Sequence, residues 1–439
     1  MLATIIRPII GLYALLLAAG LLNFQTILEQ RISLSGIPIN LIEIICVAIL
    51  PSFIIINYQK PIIINHSESH YFRLILIILC TYFAIEFIRA IFNNDDMYAS
   101  TRFIRNILLV IFAFMITIKC LTSQKTIKII SYIILLTGIL GSIIFISGRL
   151  PLVSSIFHYH EFTGIGFNTP GFDIVFILLW AFFLEKYYPF SSKPLLFLLF
   201  GISLASHVMA FRLSQYFQPI IVICLGVLFA EIPVFKKMII VTGASVFSLL
   251  ILRPLFGGDL GGIQFFPNVS YISDQVVQEM FDLNSSIHLK TRILSWEETL
   301  AQFHGLNIIY GLGIGTADQI METGLPEATK IVIGEPTYSY YLLKTGVLGL
   351  LLLIALQVKF VIVSYQNMAS ALDYFSRAFM LTCFIYGITV IINGFLHNLF
   401  ITPQISILYG VLMGVLESFR NFQPKTISSG QLPWIERKY

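Results

Sequence analysis

The sequence predicts an all-α, polytopic integral membrane protein of about 12 transmembrane helices, with one large external loop carrying short helices. Three observations predict it. First, 57% of the residues are hydrophobic and only 11% are charged, with a mean hydropathy of +0.86. An average soluble domain carries roughly a quarter charged residues, so a chain this poor in charge cannot cover a water-facing surface. Second, apolar runs of about 20 residues, the length that crosses a bilayer core, recur from end to end. Third, a single long polar segment, from Gly257 to Glu335, interrupts them.

Taken in order, the runs predict spans near 4–23, 37–57, 71–92, 102–120, 126–147, 169–188, 194–211, 214–231, 237–255, 338–363, 376–395 and 401–419. Residues 1–255 thus hold the first nine helices and 256–337 the large loop. Residues 338–419 hold the last three helices, and 420–439 form a tail. The first run is too long, and too poorly followed by small residues, to be a removable signal peptide, so it reads as a retained span. The five cysteines all fall in or beside apolar runs, and no CxxC pair or disulfide framework is present.

Lysine and arginine set the orientation. With both termini cytoplasmic, about 16 of the 27 basic residues lie inside, although the outside loops are much longer. Lysine predominates inside and arginine outside. The outer arginines include Arg89, Arg102, Arg105, Arg212 and Arg292. Guanidinium is a permanently charged fork that grips phosphate in bidentate fashion, so an outer face rich in it suggests a phosphate-bearing ligand. Interfacial snorkelling is the competing explanation for each.

The large loop is acidic, with Asp259, Asp274, Glu279, Asp282, Glu297, Glu298, Asp318, Glu322, Glu327 and Glu335 against Lys290, Arg292 and Lys330. Two stretches, 270–282 and 286–303, read as helices lying on the membrane surface. In the second, Ile287, Ile293, Leu294, Trp296 and Leu300 form the expected apolar side. Gly311-Leu312-Gly313-Ile314-Gly315-Thr316 follows as a turn in which glycine permits positive φ and close approach. A tethered loop of this length is more often functional than idle, and a lid or wall over a cavity is expected.

Other constellations carry less. His158, His160 and Glu161 form an HxHE without partners at metal-site spacing, and no metal is expected there. The GxGxG turn follows no βαβ pattern, and Walker and Rossmann fingerprints are absent, so neither nucleotide nor nucleic-acid chemistry is expected. Glu86 and Arg89 sit near one helix end and are expected to satisfy each other inside the bundle.

Three landmarks occur together. One is Ala210-Phe211-Arg212-Leu213-Ser214, an external arginine at the end of a middle span. The second is Arg292-x-x-x-Trp296 followed by the Gly311–Gly315 turn. The third runs from Glu335-Pro336-Thr337-Tyr338-Ser339-Tyr340-Tyr341 through Lys344-Thr345-Gly346 to Gly349, entering the next span. In order and placement this resembles the O-antigen polymerase and O-antigen ligase superfamily of bacterial inner-membrane glycosyltransferases. The ligases open the third motif with a histidine where this chain has Glu335, a substitution similar to the polymerase branch. The resemblance implies a metal-independent, cofactor-free glycosyltransferase at the periplasmic face of the inner membrane. Its donor would be an undecaprenyl-diphosphate-linked oligosaccharide, and a chain-length regulator is an implied partner. Arg212 and Arg292 would clamp the diphosphate and Glu335 would act as general base. Arg102, Arg105, Trp296, Gly313, Gly315, Tyr338 and Tyr341 would contact substrate. Competing structural explanations are an interfacial anchor for Arg212, a helix cap for Glu335, a local ion pair for Arg292, partners in Asp95 and Asp96 for Arg102 and Arg105, and ordinary interfacial aromatics for Trp296, Tyr338 and Tyr341.

Overall fold

The computed structural model describes residues 8–21, 32–34, 37–39, 44–51, 54, 71–149, 170–188, 192–208, 213–230, 232–233, 235–238, 242, 287–316, 320–321, 331–332, 336–395 and 403–422. Its elements in chain order are α1 (Pro8–Leu21), β1 (Ile32–Leu34), β2 (Ile37–Ile39), α2 (Arg73–Phe92), α3 (Met97–Cys120), α4 (Gln124–Arg149), α5 (Pro170–Leu184), α6 (Lys193–Val208) and α7 (Leu213–Phe229). Then follow α8 (Ile287–Ala301), the single turn α9 (Asn307–Tyr310), β3 (Ile320–Met321), β4 (Ile331–Val332), α10 (Thr337–Ser370), α11 (Tyr374–Gly394) and α12 (Pro403–Ser418). Five helices, α2, α3, α4, α10 and α11, are long and apolar enough to cross a membrane, and shorter apolar helices lie in α1, α5, α6 and α7.

Two of these helices start at a capping aspartate. Asp96 caps α3, its Oδ1 accepting from Tyr98 N at 2.8 Å, and Asp373 caps α11 by accepting from Ser376 N at 3.0 Å. The cap lengthens α3 beyond the expected 102–120, which places Arg102 more than a turn inside the helix. One expected span needs correction. Residues 37–39 do not begin a helix: Ile37–Ile39 pairs antiparallel with Ile32–Leu34, and helix is described only at 44–51 and 54 of the expected 37–57. An apolar run alone does not separate strand from helix. The expected surface helix at 270–282 and most of the span at 237–255 lie outside the described residues.

Polar contacts sort the helix termini into two sets. At one end, Phe72 N, at the start of α2, donates to Glu417 of α12 at 3.2 Å. Gln124, opening α4, bonds Asp373 and Ser376 at the start of α11, and Arg377 pairs with Glu185 after α5 at 3.2 Å. Asn367 near the end of α10 donates to Leu416 O at 2.8 Å. Starts of α2, α4 and α11 thus meet ends of α5, α10 and α12, as antiparallel neighbours must. At the opposite end lie the close of α2, the start of α3, the start of α10 and the close of α11.

The helix α12 runs through the middle, buried continuously from Ile405 to Ser418. It lies tightly on α3 because Gly410 and Gly414 remove side chains where the backbones meet. A Cβ at Gly410 would come within 2.3 Å of Val110 O, and one at Gly414 within 2.6 Å of the Thr117 Cβ. Phe360 of α10 stacks on Tyr409 from the other side, with centroids 4.7 Å apart. By contrast α2 is peripheral. It buries Leu76, Leu79 and Phe83 and leaves Leu74, Ile77, Ile85 and Ile88 bare. A helix apolar on its outer face suits lipid as solvent.

Candidate functional site

At the end of the bundle where α2 closes, the Gly311–Thr316 turn is held from two sides. On one face of α2, Tyr82, Glu86 and Arg89 follow at helical spacing. Arg89 Nη1 donates to Tyr310 O at 3.1 Å and Nη2 to Gly311 O at 3.3 Å, while Glu86 Oε1 receives Nη1 at 3.3 Å. The guanidinium thus joins a carboxylate buried in the bundle to two successive carbonyls of the turn. The expected Glu86–Arg89 pair is present, and it also binds the turn.

The second side is α10, which is broken at Gly346 (φ 65°, ψ −168°). A break frees carbonyls that the helix would otherwise satisfy. Leu343 O accepts from Leu312 N at 2.8 Å, Lys344 O from Gly313 N at 3.1 Å, and Thr345 O from Tyr82 OH at 2.6 Å. The side chain of Lys344, almost fully buried, lies over the Tyr340 ring and donates to Thr316 O at 2.6 Å. Two carboxylates, Glu86 and Asp95, and two cations, Arg89 and Lys344, thus lie around the turn.

The glycines now have specific reasons. Gly311 and Gly313 have φ of 71° and 115°, a region that disfavours other residues. A Cβ on Gly311 would strike the backbone of Gly346 at 2.5 Å; one on Gly313 would meet Asp95 Oδ2 at 2.8 Å. A Cβ on Gly315 would strike the Ser100 Oγ at 2.5 Å. These glycines admit protein neighbours, and the space above Gly313 and Gly315 is taken by Asp95 and Ser100.

No protein-family model matches this chain, nor does any curated protein.

Of the residues expected to act, Arg212 and Glu335 lie outside the described residues. Arg292 belongs to the backbone of α8, and its side chain is likewise not described. Arg102 is exposed on α3 and Arg105 is half-buried one turn further on. Between them Phe103 packs on Tyr340 and Tyr341, with centroids 5.6 and 5.1 Å away. Trp296 is half-buried against the core.

The tyrosines point inward. Tyr338 is buried with its hydroxyl on Gln357 Oε1 at 2.7 Å and its ring edge-to-face with Phe395. Tyr341 is buried too, lining a cavity of about 20 Å³, with Leu79, Phe83, Asn106 and Ser406 also around it. That is room for roughly one water. Neither ring offers a free face to a sugar in this arrangement. In α8 the expected apolar side is divided: Ile293 and Leu300 are exposed, whereas Ser295 and Thr299 are buried. Sequence reasoning missed Asp95 and Lys344 as parts of the site. Lys344 stood out only as a cation inside the third motif, and burial of a lysine leaves no mark in sequence.

Proposed function

We propose that the chain is an inverting membrane glycosyltransferase of the O-antigen polymerase type, joining undecaprenyl-diphosphate-linked repeat units at the periplasmic face. What supports this is the company of the glycine turn. It packs on the Thr337–Gly346 segment, at the same bundle end as Arg89, Arg102 and Arg105. The glycine turn of the second landmark and the Thr337–Gly346 part of the third thus pack together at the end bearing these arginines.

In the proposed reaction the growing glycan is the donor, its diphosphate clamped by Arg212 and Arg292. The hydroxyl of an incoming lipid-linked repeat loses its proton to Glu335 and attacks the donor's anomeric carbon. The new glycosidic bond forms as the bond to the diphosphate oxygen breaks, with inversion. Diphosphate leaves without a general acid, and the clamp stabilises the charge that grows on it. A chain-length regulator would act on the same face.

Purified protein supplied with a synthetic lipid-linked repeat tests the assignment. Arg212→Ala and Arg292→Ala should each lower turnover by about 100-fold or more, the scale seen when one preorganised charge-stabilising donor is removed. Full polymerisation by either variant ends the clamp, and normal turnover by Glu335→Gln ends the base. In cells, loss of a polymerase leaves core carrying one repeat, whereas loss of a ligase leaves bare core.

A transporter is the reading that the broken α10 favours, since transporters often bind ions at interrupted helices. Here the carbonyls at the break, Leu343 O, Lys344 O and Thr345 O, are already occupied by protein donors. That occupancy favours a structural break over an ion site.

A further inference from the structure

An apolar ridge continues from the turn in a direction that a water-exposed loop would avoid. Leu306 is 72% exposed, and Ile308, Ile309 and Tyr310 are exposed beside it. Just behind, Ser295 and Thr299 of α8 are buried against the protein, and Ile293 and Leu300 face away with Glu297 between them. In water an exposed apolar surface of this kind marks contact with something apolar.

The neighbours of the ridge identify that contact. Tyr310 O is bound by Arg89, one turn before the end of α2, and Ile309 O lies against Gly346 at the break of α10. The ridge is thus wedged between the last turn of α2 and the turns of α10 that follow its break, in two helices long and apolar enough to span a bilayer. Those turns are themselves bare on the outside: Phe92 is 81% exposed on α2, and Val347, Leu348 and Leu351 are exposed on α10. Exposed apolar side chains thus occur on α2, on the ridge and on α10. Polar groups bound them on the far side, with Asn93, Asn94 and Asp96 all exposed. The twenty residues of α2 measure about 30 Å at 1.5 Å each, which matches the hydrocarbon thickness. The ridge therefore sits at the level where acyl chains give way to headgroups.

We propose that the α8–α9 segment is a membrane-inserted wedge, with Leu306, Ile308, Ile309 and Tyr310 among the acyl chains of the leaflet at this end of the bundle. The inserted ridge fixes the depth of the neighbouring site. Arg89 and the carbonyls it binds lie at the headgroup boundary, so a lipid-borne ligand reaches them laterally from the bilayer. The insertion itself is independent of the reaction proposed above.

A diazirine amino acid placed at Leu306 or Ile309, in the otherwise unaltered chain, tests the wedge. The protein is set in nanodiscs of phosphatidylethanolamine and phosphatidylglycerol, illuminated and analysed by mass spectrometry. The expected result is the mass shift of one phospholipid at both positions, in yield comparable with Leu351 on the bare face of α10. Asn93, exposed among the polar groups beyond the end of α2, should give water adducts. Water adducts at Leu306 and Ile309 would overturn the proposal. So would cross-links at both positions only to peptide, from this chain or a second copy, because protein would then cover the ridge. Loss of glycosyl transfer in an Arg212 variant leaves these adducts unchanged, so the wedge and the proposed reaction fail separately.

Discussion

At Gly346 the chain takes a φ of 65°, and an added Cβ would lie 2.3 Å from the carbonyl oxygen of Ile309. Gly305 has a similar φ of 60° with open space above it. The pair separates backbone strain from collision. Gly305→Ala should cost only the left-handed penalty, about 1–2 kcal/mol. Gly346→Ala should cost clearly more, because the atom it strikes is backbone and cannot rotate away. Thermal unfolding of both variants in the same detergent measures the difference, and equal midpoints would show that the turn yields freely. The glycines themselves were legible in sequence as a close-approach motif. What approaches them was not: spacing reveals that Gly311 and Gly313 tolerate positive φ, but not that Gly346 and Asp95 occupy the space. Lys344 illustrates the same limit, since its burial depends on a turn 28 residues earlier in the chain.

Among the elements, long helices were the most legible and their ends the least. The runs read as 71–92, 126–147 and 376–395 correspond to Arg73–Phe92, Gln124–Arg149 and Tyr374–Gly394, because an uninterrupted apolar stretch has one stable form in lipid. The run near 338–363 extends to Ser370 and hides the break at Gly346. Hydropathy is blind to a change of direction inside an apolar stretch. The break also makes α10 dependent on the turn for its carbonyl partners, and Lys344 is the side chain that fastens the two together. Lys344→Met keeps the volume and removes the donor to Thr316 O. The loss should cost about 1–3 kcal/mol for the buried groups left unpaired. Hydrogen exchange should show it as faster exchange over 311–316 while the amides of α12 stay protected. Equal acceleration in α12 would mean that Lys344 supports the whole bundle and has no special hold on the turn.

For the whole molecule, the alternation of helix ends makes a prediction that hydropathy alone could not. The ends tied by Glu417, Asp373 and Arg377 are also the ends near Lys119, Lys125, Lys128, Lys186 and Lys359. Those bearing the glycine turn carry mainly arginine. Cytoplasmic loops carry the excess of lysine and arginine together, and about 16 of the 27 basic residues fall on the side of the first set. A phosphatase reporter, active only outside the cytoplasm, should therefore work when fused after Asn94 or Gly305. It should be silent after Thr122, Lys186 or Leu372. In chain order these positions flank α3, α4 with α5, the stretch from α6 to α8, and α10, so a sign change between neighbours marks an odd number of crossings and equal signs an even number. Matching signs after Asn94 and Thr122 would mean that α3 does not cross, despite its 24 apolar-rich residues. A full reversal would keep the antiparallel bundle but turn the glycine turn, Arg89 and Arg102 toward the cytoplasm. Polymerisation of translocated lipid-linked repeats requires the opposite face, so that single outcome would preserve the fold and end the proposed reaction.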